Sequence, residues 1–215
     1  MTSLADRLQQ CYSGAVYDVM RDMGLSPRVL PRSILGLTKD MKAAGPVFTV
    51  RGRPDSTVSA HESLLAWTGL LSRAPAGHVV VCQPQDDVRA LMGELSAETL
   101  KLRGVRGYIV DGGCRDTSFI EAEGFPVFCR YTTPMDIVAG WIPEAFDEPV
   151  TIGNVVINAG DYILADRDGI VVLPKDHAEG LIAKTEEVIG TESALRQALR
   201  GGQDPQEAYL QYGKF

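Results

Sequence analysis

Apolar residues recur at helical spacing at the start of the chain. Leu4, Leu8, Cys11, Ala15, Val16 and Val19 predict one helix over Leu4–Met23, stopped by Gly24. Pro27 and Pro31 keep the next stretch irregular. Continuous apolar runs then read as strands at Gly45–Val50 and His78–Cys82, with a helical pattern between them over Ser59–Ser72. Arg89–Leu102 predicts a further helix with Leu91, Leu95 and Leu102 on one side, ending at Gly104. Gly107–Asp111 is a short apolar strand, Asp116–Ala122 a short helix, and Pro126–Tyr131 another strand. Val150–Pro174 carries several strand signals broken by Gly153, Gly160 and Gly169. Lys175–Leu199 reads as a long helix and Pro205–Tyr212 as a short one. Strands and helices alternate and a β-rich block follows, which predicts an α/β layered domain with more than one sheet and no dividing linker.

Composition narrows the class. The 215 residues are 45% hydrophobic and 23% charged, a mixture that folds. A chain of this size buries roughly 70% of its unfolded surface, so its core needs no covalent staples. Lys plus Arg number 21 against 28 Asp plus Glu, a formal net charge of −7. That balance argues against a nucleic-acid backbone binder. Cys11, Cys82, Cys114 and Cys129 lack the spacing of a zinc knuckle and suit reduced thiols. No window approaches the roughly 20 apolar residues of a membrane span. The opening MTSLADRLQQCYSG does not read as a signal peptide, so the expected location is the cytoplasm.

Several familiar chemistries are not encoded. His61, His78 and His177 form neither HExxH nor HxH, and the chain has no GxxxxGK[ST], GxGxxG or GxSxG. Asp111-Gly-Gly113 follows a strand but lacks the further glycine of a nucleotide loop. Two features remain. Gly93–Ser96 begins or interrupts a helix, where unpaired backbone N–H groups attract anions. Arg115-Asp116 follows a strand and a glycine turn. An Arg fork suits a carboxylate, and an Asp offers a hard oxygen to a divalent cation. Together they would hold a small 2-oxo acid; alone, such a pair is more often a helix cap and a solvated charge. Plainer readings hold elsewhere. Asp111 orients its turn or supports the site from behind the residues that touch a ligand, and Asp161, Asp166 and Asp168 form turns. Cys114 has no adjacent histidine, Trp67 and Trp141 pack, and His61 and Lys101 lie on helix surfaces.

Gly93-Glu-Leu-Ser-Ala97, Arg103–Asp116 (RGVRGYIVDGGCRD) and Gly124-Phe-Pro-Val-Phe128 resemble the RraA-like family, which includes the class II 4-hydroxy-4-methyl-2-oxoglutarate/4-carboxy-4-hydroxy-2-oxoadipate aldolases. Ala15–Asp18, Gly45–Val50 and Asn158–Pro174 extend the resemblance over nearly the whole chain, while Trp67–Arg73 departs from it. The resemblance implies a single domain over residues 1–215 with a three-layer β/β/α fold similar to the swivelling phosphohistidine domain. It also implies homotrimers or homohexamers with sites at subunit interfaces, the C-terminal helices (about 175–212) packing there. By the same resemblance, Gly93, Glu94, Leu95 and Ser96 bind a pyruvate carboxylate and Arg115 contacts the pyruvyl group. Asp116 holds Mg²⁺ or Mn²⁺, mostly through water. Glu192, with Glu187 as the alternative, reaches in from a neighbouring subunit.

The implied activity is retro-aldol cleavage of a 4-hydroxy-2-oxo acid, with oxaloacetate decarboxylation by the same enolate chemistry. The implied partners are a small 2-oxo acid and further copies of the chain, not nucleic acid or membrane. The family also contains a regulator that inhibits ribonuclease E. That branch lacks an acidic residue after the arginine, so Asp116 favours the enzyme. Some relatives carry menaquinone methyltransferase names, which this chain supports with no glycine-rich cofactor loop. A lyase acting on another sugar-acid-derived 2-oxo acid is the third reading.

Overall fold

The computed structural model describes residues 2–213. In chain order it has α1 (Leu4–Gln10), α2 (Ser13–Asp22), β1 (Arg28–Val29), β2 (Leu35–Gly36), β3 (Ala43–Pro54), α3 (Ala60–Arg73), β4 (Val79–Gln83) and α4 (Glu94–Leu102). Then come β5 (Gly107–Val110), β6 (Gly113–Cys114), α5 (Thr117–Glu123), β7 (Val127–Cys129), β8 (Tyr131–Thr132) and β9 (Trp141–Phe146). The hairpin β10 (Val150–Ile152) and β11 (Val155–Ile157) leads to β12 (Tyr162–Ala165), β13 (Ile170–Leu173), α6 (Ala178–Arg200) and α7 (Pro205–Tyr212).

The long strand β3 joins everything. Its first residues pair antiparallel with β12, from Ala43↔Ala165 to Pro46↔Tyr162. From Val47 onward it pairs in parallel with β4, which pairs with β5, which pairs with β7. The far half of its other edge pairs antiparallel with β9, through a register shift between Arg51 and Gly52. With β1, β13 and β2 this makes one nine-stranded mixed sheet, beside the two-stranded pairs β10–β11 and β6–β8. The apolar run of β3 follows from burial on both faces.

Alternation along β12 and β13 explains the layers. Ile163, Ala165, Ile170 and Val172 point into a core shared with the β10–β11 hairpin residues Ile152 and Ile157. Their neighbours Leu164, Val171 and Leu173 point to the opposite face, into a second core with Leu8, Val19 and Ile182 from α1, α2 and α6. Strand layer on strand layer, with helices outside, is the α/β arrangement expected from the sequence.

Two local expectations are corrected. The helix predicted over Leu4–Met23 is two helices, because Cys11 and Tyr12 are extended. The Asp166 carboxylate accepts both the N–H and the hydroxyl of Ser13, each at 2.7 Å, and so holds the start of α2. The helix predicted from Arg89 begins only at Glu94, since Ala90 and Leu91 bridge to β6 and its neighbours instead. Its buried face is Ala97 and Leu100, whereas Leu95 and Leu102 are 75% and 81% exposed. Trp141–Phe146, where the sequence pattern assigns no element, pairs with β3. Among the described residues no helix is long and apolar enough to cross a membrane.

Gly52 is required where β9 crosses β3. A Cβ there would strike the Trp141 ring and lie 2.6 Å from the Ile142 carbonyl oxygen. Gly52→Ala is expected to cost on the order of 2–3 kcal/mol by overpacking, read from the urea unfolding midpoint. A midpoint equal to the parent's would show that β9 can shift freely.

Candidate active site

The site stands at the carboxyl ends of the parallel strands, where ligands of open α/β sheets commonly sit. The segment after β4 runs to Gly93, and the one after β5 runs to Asp116. The two are tied together: Leu91 N–H donates to the Gly113 carbonyl at 2.8 Å and Arg115 N–H to the Met92 carbonyl at 2.9 Å. A Cβ on Gly113 would lie 2.6 Å from the Arg89 carbonyl oxygen. The glycines after Asp111 thus serve close packing of two loops.

Gly93 is extended and is the N-cap of α4, with no side-chain cap on the helix. Helix geometry leaves the first-turn N–H groups of Glu94, Leu95 and Ser96 without intrahelical partners. Glu94 N–H donates to Asp116 Oδ2 at 3.2 Å. Asp116 is left-handed (φ 55°, ψ 34°) at the start of α5, a conformation that Asp tolerates better than most residues. The Arg115 guanidinium lies between two carboxylates, with Nε 3.3 Å from Asp116 Oδ2 and Nη1 3.2 Å from Asp136 Oδ2. The Arg115 and Asp116 side chains are each 38% exposed, so a ligand can reach both.

These groups line one cavity of about 460 Å³. Glu94, Ser96, Arg115, Asp116 and Asp136 give it polar groups, while Leu64, Trp67, Leu71, Met92, Ile137 and Val138 give it an apolar wall. Gly93 and Leu95 also line it, so the structure brings together every residue predicted for the carboxylate and cation half-site.

Asp136, Ser63 and a second role of Trp67 were not legible in the sequence. Asp136 lies twenty-one positions beyond Arg115 in an irregular loop, and no spacing rule links them. Its Oδ1 accepts from Val138 N–H at 3.1 Å. Ser63, fully buried on α3, accepts from Ala139 N–H at 2.9 Å and so pins that loop. Trp67 packs, as expected, edge-on to Trp141 at 6.0 Å, but its indole N–H also donates to Ser96 Oγ at 2.9 Å. Its position in α3, facing α4, gave a signal for packing and none for this bond.

Glu192 lies on α6, hydrogen-bonded to the Tyr12 hydroxyl, and does not line this cavity of its own protomer. Burial, then the bond to Glu192, pushes the Tyr12 hydroxyl up to about 12. Glu187 pairs with Lys184 at 3.0 Å. Asp111 pairs with Arg130, Lys101 with Glu123, and the Asp161 carboxylate accepts from the N–H groups of Asn158 and Lys175. Cys114 is a buried free thiol, and its hydrogen bond with Cys129 together with burial raises its pKa, unlike a nucleophile's.

Among the described residues no three His, Cys, Asp or Glu side chains converge as a ready metal cage. Asp116 is one carboxylate donor facing the cavity, and both of its close contacts use Oδ2. One hard oxygen in a water-accessible cavity fits Mg²⁺ or Mn²⁺ that keeps most of its water.

The site sets an arginine–aspartate pair against a helix N-terminus in an α/β protein. Residues 13–172 match the family described as "RraA-like: Aldolase/RraA", and the chain belongs to that family. It is 29% identical over 182 residues to a Halalkalibacterium halodurans protein named "Putative 4-hydroxy-4-methyl-2-oxoglutarate aldolase", covering 85% of this chain and 83% of that protein. It is 27% identical to Protein DlpA of Legionella pneumophila over 218 residues, covering 99% of this chain but 34% of that longer protein. The crystal structure of Streptomyces coelicolor RraAS2, described as an unusual member of the RNase ES inhibitor RraA family, superposes with a TM-score of 0.76 at 26% identity. That match covers 90% of this chain and 95% of RraAS2.

Gly93 can be tested alone. Its backbone is extended, so alanine brings no φ strain, but the new Cβ would lie 2.8 Å from Asp116 Oδ2. Gly93→Ala is expected to weaken binding of a small carboxylate such as pyruvate about tenfold, about 1.4 kcal/mol, in calorimetric titration. The thermal midpoint should stay within about 2 °C of the parent. Unchanged affinity would show that this close approach does not shape the site.

Proposed function

We propose that the protein is a divalent-metal-dependent (class II) pyruvate aldolase. It cleaves a 4-hydroxy-2-oxo acid, such as 4-hydroxy-4-methyl-2-oxoglutarate, to pyruvate and a second oxo compound. The observation that carries this is the convergence of the α4 N-terminus, Arg115 and Asp116 on one cavity. The aldolase name of the Halalkalibacterium relative supports it.

The N–H groups of Leu95 and Ser96, with Arg115, would hold the carboxylate of the pyruvyl half. Arg115 would also face the C2 oxygen, where negative charge develops as the C3–C4 bond breaks. Asp116 would hold Mg²⁺ or Mn²⁺, which supplies Lewis-acid stabilisation of that same charge. Water oriented by the carboxylates of Glu94 and Asp136 would accept the C4 hydroxyl proton, and C4 becomes a carbonyl. The electron pair of the broken bond passes into the enolate, which is protonated at C3 to give pyruvate. No lysine is needed. The same enolate would form on loss of carbon dioxide from oxaloacetate. Active sites shared between subunits of a trimer or hexamer would place Glu192 in a neighbour's cavity. A cytoplasmic location and the absence of nucleic-acid partners belong to the same proposal.

The expected result is pyruvate release from 4-hydroxy-2-oxo acids, 4-hydroxy-4-methyl-2-oxoglutarate among them, that is lost in EDTA and restored by Mg²⁺ or Mn²⁺. Arg115→Ala should lower kcat/KM on the order of a hundredfold, about 3 kcal/mol of transition-state stabilisation. Asp116→Ala should abolish the metal-dependent rate with the fold intact by circular dichroism. EDTA-resistant turnover, or full activity in Asp116→Ala, would remove the metal assignment.

The alternative is an RraA-type protein-binding regulator of ribonuclease E. It is favoured by the likeness to RraAS2 and by exposed Leu65, Leu95 and Phe119. Absence of turnover on every such acid, with inhibition of ribonuclease E, would establish it. A related lyase would instead show turnover on a different sugar-acid-derived 2-oxo acid.

A further inference from the structure

Three hydroxyls line the cavity, those of Thr68, Ser96 and Thr99. A hydroxyl has one proton to give and two lone pairs with which to accept. Thr68 and Thr99 turn that proton back onto their own helices. Thr68 Oγ1 donates to the Leu64 carbonyl at 2.9 Å and Thr99 Oγ1 to the Leu95 carbonyl at 2.6 Å. Ser96 has no such carbonyl beneath it. It stands in the first turn of α4, and the carbonyl four residues back, that of Met92, precedes the helix and accepts the Arg115 N–H at 2.9 Å. The Ser96 hydroxyl instead accepts, from the Trp67 indole N–H at 2.9 Å. An indole N–H is a donor only, so the direction of this bond is fixed. Among the described residues the Ser96 hydroxyl proton meets no acceptor.

The indole is itself held. It is buried and lies edge-on to Trp141 at 6.0 Å, and the fully buried Trp141 donates its own N–H to the Pro84 carbonyl at 2.8 Å. Both rings belong to one protomer, on α3 and β9, so the bond to Ser96 needs nothing from a neighbouring subunit. Ser96 Oγ therefore receives on the side of α3. Its proton is left for a group in the cavity, beside the first-turn N–H groups of Leu95 and Ser96 and the Arg115 guanidinium. A hydroxyl that accepts from one partner is polarised and donates more strongly to the next. The acceptor that matches donors of this kind is a carboxylate.

We infer that Trp67 is a positioning residue: its indole N–H turns the Ser96 hydroxyl so that this hydroxyl donates to the carboxylate of the bound 2-oxo acid. The inference rests on the carboxylate half-site of the aldolase reading, and neither on the bond that breaks nor on the rest of the substrate. That carboxylate keeps its charge through the reaction, so the contact holds substrate and transition state alike. Loss of such a contact raises KM and leaves kcat in place.

The test is calorimetric titration of the full-length protein with pyruvate in the presence of Mg²⁺. Ser96→Ala, at a half-buried helix position that does not endanger the fold, should weaken binding about tenfold. Trp67→Phe keeps a ring against Trp141 but has no N–H, and should weaken binding about fivefold. The double variant should bind no more weakly than Ser96→Ala alone. Unchanged affinity in Ser96→Ala would overturn the inference. So would a full loss from Trp67→Phe in the Ser96→Ala background, because the indole would then not act through Ser96. The chain has two tryptophans, so the Trp67 indole N–H resonance is assigned by its loss in Trp67→Phe. Saturating pyruvate should shift that resonance in the parent and far less in Ser96→Ala; equal shifts would contradict the role. In turnover of 4-hydroxy-4-methyl-2-oxoglutarate, Trp67→Phe should raise KM about fivefold with kcat within about twofold of the parent. A lower kcat at unchanged KM would also overturn it. No binding of pyruvate by the parent would sink the carboxylate half-site and this role with it. The expected losses of affinity without turnover of any 4-hydroxy-2-oxo acid would sink the aldolase reading and keep the role of Trp67.

Discussion

The close approach of Gly93 to the Arg115-Asp116 turn is the constraint on which the site depends. A Cβ at position 93 would lie 2.8 Å from Asp116 Oδ2 and 3.3 Å from the Arg115 side chain, so one of them would have to shift. With glycine there, the start of α4 faces the start of α5, and one aspartate touches both a free helix N–H and the neighbouring guanidinium. Positive helix end, cation and carboxylate then share a few ångströms of surface. A helix N-terminus attracts negative charge, which the Asp116 carboxylate supplies in this structure.

The sheet makes that approach reproducible. β4 and β5 are parallel neighbours, paired from Val79↔Gly107 to Cys82↔Val110, so the segments leaving them emerge side by side. Backbone bonds between Leu91 and Gly113 and between Arg115 and Met92 continue the pairing past the strand ends. α3 closes the cavity from the other side. Trp67 fixes Ser96, and Ser63 fixes the loop that carries Asp136. The polar end is thus framed by backbone, and the apolar end by side chains of α3 and a single loop.

The parts of this picture that the sequence disclosed were those with a local cause. Continuous apolar runs marked β3, β4 and β5, and a capping box at Ser59 and Glu62 lies at the start of the helix expected there. Gly93–Ser96 and Arg115-Asp116 were legible as an anion end and a charge pair, and the family resemblance joined them. What failed had non-local causes. The break at Cys11 and Tyr12 is set by Asp166, more than 150 residues away. The late start of α4 is set by bonds to β6, and the strand at Trp141 by β3. Asp136 entered the site through a loop whose path depends on Ser63. Glu192 was named from resemblance, and within one protomer it bonds to Tyr12.

The central claim is that a 2-oxo acid and a divalent cation bind together between the α4 N-terminus and the Arg115-Asp116 turn. The most direct measurement is a crystal structure with Mn²⁺ and oxalate, a stable mimic of the pyruvate enolate, collected at a wavelength where manganese scatters anomalously. The account predicts an anomalous peak within coordination distance of Asp116, with oxalate bridging from it to Arg115 and to the N–H groups of Leu95 and Ser96. Manganese and oxalate at another place, or oxalate in the cavity with no manganese beside Asp116, would contradict it.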